Sequence, residues 1–134
     1  MAEIITQLPG AGTVTRLTPS SATESADLVR SKINEYRSYG IPVGYISLAS
    51  EPQSVPTDVH FIKQNNAYLG TVLLKCSSLV NRKFVRAIVI DGARRLCLKT
   101  TPHGSAEERA FIDRRLNLFA AQAKIPIVLI NNPE

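Results

Sequence analysis

The chain has no tryptophan, one methionine, two cysteines and only four tyrosines and four phenylalanines in 134 residues. With so few aromatic rings, its core has to be aliphatic, built from its many Ile, Val and Leu residues. Two cysteines without a secretory pattern exclude a disulfide-stapled scaffold, so Cys76 and Cys97 read as reduced, buried thiols. No apolar run reaches the roughly 18–20 residues that a membrane span needs. Met1 to Leu8 contains Glu3 and no basic stretch leading into a long apolar one, which is not a signal-peptide pattern. The expectation is a cytoplasmic protein with no membrane partner.

Catalytic and cofactor motifs are equally scarce. Gly10-Ala11-Gly12 lacks the third glycine and the Lys-Ser/Thr of a phosphate loop, so it reads as a turn. There is no Gly-x-Ser-x-Gly elbow, and neither cysteine sits in a nucleophile motif. His60 and His103 are the only histidines. Asp58 and His60 fall two apart, on one face of a strand, but without a third ligand. No metal and no cofactor are expected. The acids left to test for catalysis are Asp58, Asp91 and Asp113, since carboxylates converging from strand ends can hold a hard divalent cation. Each also has a local explanation as a strand start, a turn residue and part of a charged helix face.

What is present is one domain's length of ordinary globular sequence, 44% apolar and 20% charged. Residues 3–8 and 13–18 are short β-favouring runs around Pro9-Gly10-Ala11-Gly12, a hairpin or loosely attached arm. Ser21 and Glu24 form a capping box. Ala26, Val29, Ile33 and Tyr36 continue it as a helical stripe, and Gly40 and Pro42 end it. Ser105 and Glu108 repeat the device ahead of Ile112, Leu116, Phe119, Ala120 and Ala123. Between these helices, Val43–Leu48 and Phe84–Ile90 read as strands, the second buried on both faces. Asp58–Lys63 is expected to pair in a hairpin with Tyr68–Cys76. Asp91-Gly92 is expected to turn Phe84–Ile90 back on Arg95–Lys99. Pro126–Asn131 is a last apolar strand. The predicted fold is α/β (α+β), with a mixed central sheet of five to six strands flanked by two helices, at about 21–39 and 106–124.

Sixteen Lys and Arg against eleven Asp and Glu give a net charge of +5. Much of it lies in one block, Lys75, Arg82, Lys83, Arg86, Arg94, Arg95 and Lys99, opposed only by Asp91. In a hairpin these cations would gather, a pattern suited to a phosphate backbone, so DNA or RNA is the expected partner. Cations on exposed strands also guard sheet edges, which is the competing explanation.

Four stretches, Ala87–Gly92 (AIVIDG), His103, Asp113-Arg114 and Lys124–Ile130 (KIPIVLI), resemble restriction-endonuclease-like PD-(D/E)xK proteins. The resemblance covers residues 84–131 and implies a metal-dependent nuclease fold. Val89 and Leu73 stand where that chemistry wants acids, so what it implies is a degenerate, non-cleaving version. The expected function is a non-catalytic or weakly catalytic nucleic-acid-associated domain. The alternative is a protein-interaction module, an accessory or regulatory subunit with a protein partner or a second copy of itself. A metal-dependent hydrolase built on the three aspartates comes third.

Overall fold

Three runs, Val43–Ser47, Ala87–Asp91 and Ile127–Ile130, are buried at every position, which requires cover on both faces of the sheet. A computed structural model, described here for residues 10–49, 52–99 and 101–131, supplies that cover. Its elements in chain order are β1 (Val14–Leu17), α1 (Ala22–Arg37), β2 (Val43–Ser47), β3 (His60–Lys63), α2 (Leu69–Lys83), β4 (Ala87–Asp91), α3 (Ala106–Ala123) and β5 (Ile127–Ile130). A 3-10 turn, Ala93–Arg95, follows β4. The strands form one five-stranded sheet in the order β1-β5-β4-β2-β3, and every pairing is parallel.

Side chains alternate across this sheet. Ile46, Ile88, Ile90, Ile127 and Leu129 pack under α2 and α3 with Leu69, Val72, Cys76, Leu79, Ile112 and Leu116. Val43, Tyr45, Ala87, Val89, Val128 and Ile130 pack on the other face against Val29, Ile33 and Tyr36 of α1. The result is a three-layer α/β/α arrangement, with α1 carrying the chain one way along the sheet and α2 and α3 carrying it back.

The α/β class and the strand number stand as expected from the sequence; the strand directions do not. Tyr68–Cys76 is not a strand. Most of it is the first half of α2, a third helix, whose buried residues Leu69, Val72, Cys76 and Leu79 recur at helical spacing. Asp58–Lys63 therefore has no hairpin partner there, and His60–Lys63 pairs in parallel with β2 instead. Arg95–Lys99 does not fold back on β4 either. Gly92 takes the positive φ expected of it (77°), but the chain leaves the sheet into the 3-10 turn, and Cys97 makes a single bridge to Tyr68. A Cβ on Gly92 would lie 2.7 Å from the Ala49 backbone nitrogen, so glycine is required for the close approach as well as for the φ. The run Thr13–Thr18 supplies β1, paired in parallel with β5. Its proposed hairpin mate, residues 3–8, lies outside the described residues.

No helix among the described residues is long and apolar enough to cross a membrane.

Candidate functional site

In a sheet of parallel strands every strand ends at the same rim, and loops that depart to opposite faces leave a crevice there. Here β1 leads to α1 on one face and β4 leads to α3 on the other. At the carboxyl ends of β1, β4 and β5 lies a cavity of about 340 Å³ lined by, among others, Arg16, Arg94, His103, Glu108, Arg109 and Asp113. Arg16 comes from β1, Arg94 from the turn after β4, and the rest from α3 and the loop before it.

The acids of this crevice are already engaged. Asp113 pairs with the Arg16 guanidinium, which also donates to Asn131 Oδ1 at 2.9 Å. Glu108 is buried, its side chain 1% exposed. Its carboxylate accepts from the backbone N–H groups of Gly104 (2.8 Å) and Leu98 (3.0 Å) and lies 3.2 Å from His103 Nδ1. Burial pulls this carboxyl upward, but the Gly104 and Leu98 N–H groups, with His103, outweigh it and hold the group below the ordinary glutamate range. Arg109 donates to the Gly104 carbonyl at 2.9 Å. Neither Arg109 nor Arg94 forms an ion pair among the described residues. Two guanidinium charges are thus left facing solvent at the crevice.

The seven cations of the sequence block are all exposed, but the parallel topology divides them. Arg82 and Lys83 lie in the last turn of α2, and Arg86 just before β4, at the amino-terminal rim of the sheet. Arg94 and Arg95 follow β4 at the opposite rim. Lys75 sits midway along α2, and the Lys99 ammonium lies 5.0 Å over the Tyr68 ring. The hairpin that would have gathered them does not exist.

The three aspartates are also kept apart. Asp58 accepts from Arg37 Nε at 3.1 Å at the amino-terminal rim, beside a depression that His60 also lines. Asp91 ends β4 on the α1 face, 1% exposed, where its Oδ2 accepts from the Tyr45 hydroxyl at 2.9 Å and its Oδ1 has no partner among the described residues. Burial pushes that tyrosine hydroxyl well above its ordinary range. Asp113 lies on the α3 face. No group of three or more metal-ligating side chains gathers among the described residues.

The turn from β1 into α1 also bears on phosphate binding, because a helix N-terminus there would favour an anion. Ser21 Oγ accepts from Glu24 N–H at 3.1 Å. The Glu24 carboxylate accepts from the Ser20 N–H at 3.0 Å and the Ser20 hydroxyl at 2.6 Å. Those Ser20 hydrogen bonds hold it below the ordinary glutamate range. A negative side chain of the chain's own therefore occupies the turn, which contains neither glycine nor lysine. Gly10–Gly12, the other phosphate-loop candidate, is a turn before β1 whose Gly12 N–H donates to Ile125.

Arg16, Glu108 and Asn131 escaped notice as site residues in the sequence, where they lie up to 115 positions apart, whereas Arg109 adds to the basic block from the second predicted helix. A usable signal was present in Asn131, a polar residue closing a fully apolar strand.

No family model matches the sequence, and no curated protein matches it. Among solved structures, a KaiC-like protein from the hyperthermophilic archaeon Pyrococcus horikoshii OT3 superposes with a TM-score of 0.62 at 14% identity. The match covers 92% of this chain and 64% of that one, so the chain spans just under two thirds of its length. At that identity the likeness is one of fold.

Proposed function

We propose that the chain is a non-catalytic, nucleic-acid-associated domain that contacts the phosphate backbone through the crevice at the carboxyl ends of β1, β4 and β5. The carrying observation is that Arg94 and Arg109 meet there free of ion pairs among the described residues, while both local carboxylates are consumed by internal partners. Guanidinium groups in that state suit phosphate oxygens, which they bind without reading sequence. The separation of Asp58, Asp91 and Asp113 favours binding over cleavage. So do Val89, buried in the core under α1, and Leu73, on a helix, at the two positions where the nuclease resemblance wants acids. The β1–α1 turn, with Glu24 in it, is a poor cradle for a nucleoside triphosphate.

The test is fluorescence anisotropy of a labelled DNA duplex at low salt. The native chain should bind, with affinity falling steeply as salt rises. Arg94→Glu with Arg109→Glu should weaken binding at least tenfold and flatten the log–log salt slope by about 2, one per lost phosphate contact. A double variant that binds the duplex as the native chain does sinks the crevice.

A second reading rests on a groove of about 470 Å³ between α2 and α3, lined by Leu73, Leu74, Leu118 and Phe119 among others. Leu74 is 72% exposed and Leu118 47%. An apolar strip of this kind suits a protein partner or a second copy of the chain. Light scattering should then report a dimer that Leu74→Glu dissociates; a monomer at every concentration removes the self-association form.

A further inference from the structure

The cations at the other rim of the sheet flank, in sequence, a residue that neither packing nor backbone preference explains. Phe84 caps the C-terminus of α2 in the left-handed conformation, with φ 57°, a position that glycine ordinarily fills. A bulky side chain there is a true outlier. The residue is also 66% exposed, so the fold gains little burial from it. The backbone around it is well anchored, since Val85 N–H donates to the Leu79 carbonyl at 3.1 Å and the Val85 side chain is wholly buried. A costly conformation is thus spent on displaying an aromatic ring from a rigid mount.

Its neighbours give the display a chemistry. Arg82 and Lys83 immediately precede it and Arg86 follows two residues on; all three are exposed and form no ion pair among the described residues. Arg86 Nη1 donates to the Val85 carbonyl at 3.1 Å, which ties its guanidinium to the backbone one residue past Phe84. The Arg86 N–H donates to the Pro42 carbonyl at 2.9 Å, which binds this segment to the chain between α1 and β2, where Tyr39 is 48% exposed. Cations in the last turn of α2 favour its dipole, which accounts for Arg82 and Lys83 but not for Phe84 or Arg86.

We infer that the amino-terminal rim of the sheet is a stacking site for an unpaired base of a single-stranded nucleic acid. Phe84 supplies the platform, and Arg82, Lys83 and Arg86 hold the flanking phosphates. Rings for the base faces and cations for the backbone are what single-strand recognition requires, and a paired base offers no free face to stack. A membrane surface would call for a broad apolar face, and this rim offers two separate rings among cations. The site is at the opposite end of β4 from Arg94 and stands independently of the crevice.

The experiment measures anisotropy of labelled oligo-dT and of a duplex of equal length, with thermal melting of each variant. Phe84→Gly relieves the left-handed backbone, so its melting temperature should rise while its oligo-dT affinity falls about tenfold and its duplex affinity holds. Phe84→Trp should keep oligo-dT binding, and Phe84→Leu, with bulk but no ring, should lose it. The inference is overturned if Phe84→Gly or Phe84→Leu binds oligo-dT as tightly as the native chain. It is equally overturned if the native chain ignores oligo-dT and binds phosphatidylserine vesicles instead. Loss of duplex binding in the Arg94/Arg109 variant, read separately, speaks only to the crevice.

Discussion

Helices α1 and α3 begin with the same pattern, Ser-x-x-Glu, and in both the serine hydroxyl accepts from the glutamate N–H at 3.1 Å. The two glutamates then part company. Glu24 is exposed and reaches only the preceding Ser20. Glu108 is buried and ties Gly104, Leu98 and His103 to the start of α3. The difference comes from what precedes each helix. Only four residues, 18–21, separate β1 from α1, whereas ahead of α3 the Leu98 N–H comes within reach of Glu108. One motif thus serves as a local cap in one place and as the keystone of a crevice wall in the other.

Removing Glu108 should break this comparison most forcefully. Glu108→Ala leaves the half-buried Leu98 N–H without its acceptor, while water can reach the exposed Gly104 N–H, so the cost is about 1–2 kcal/mol. The crevice wall at His103 and Gly104 should loosen with it, so urea unfolding and hydrogen exchange at Leu98 and Gly104 report the change together. The pH dependence has a definite sign. The folded chain holds this carboxyl below its ordinary value, so the unfolded chain takes up the proton first. The stabilisation is therefore whole above the unfolded value of about 4.3, and is lost as pH falls through the lower folded value. A Glu108→Gln variant should lose part of that acid-side slope; an unchanged profile would remove the assignment.

The same contrast explains what the sequence revealed. Both capped helices were legible because capping boxes, apolar stripes and the glycine and proline beyond α1 all act within a few residues. Helix α2 offered neither a capping box nor a stop: Tyr68 caps it without a side-chain hydrogen bond, and Phe84 ends it where a glycine would have announced a stop. Its opening, rich in β-favouring residues, imitated a strand, and only the stripe of Leu69, Val72, Cys76 and Leu79 argued otherwise. The Asp91-Gly92 turn misled in a similar way. Its positive φ is real, but Ala87–Ile90 is apolar on both faces, a property of a covered parallel strand rather than of half a hairpin. The crevice was out of reach because Arg16, Arg94, Arg109 and Asn131 meet only through the strand order, which no local pattern encodes. The cation block failed as a cluster for the same reason, since a parallel β4 sends Arg86 and Arg94 to opposite rims.

The smaller half of the comparison is Glu24, and its removal should be nearly silent in stability. Its carboxylate holds only Ser20 and faces water throughout, so screening and side-chain freedom offset most of what the hydrogen bonds contribute. A measurable consequence lies in charge. With Glu24→Gln the first turn of α1 loses the anion that now occupies it, while Ser21 still caps the helix. The melting temperature should move far less than in Glu108→Ala. The acid-side slope should move in the same direction as in Glu108→Gln but by less, because Glu24 is likewise held below its ordinary value. If Glu24→Gln instead destabilises the chain as much as the Glu108 variants do, the two caps are equivalent. The Leu98 and Gly104 contacts would then not be what sets α3 apart.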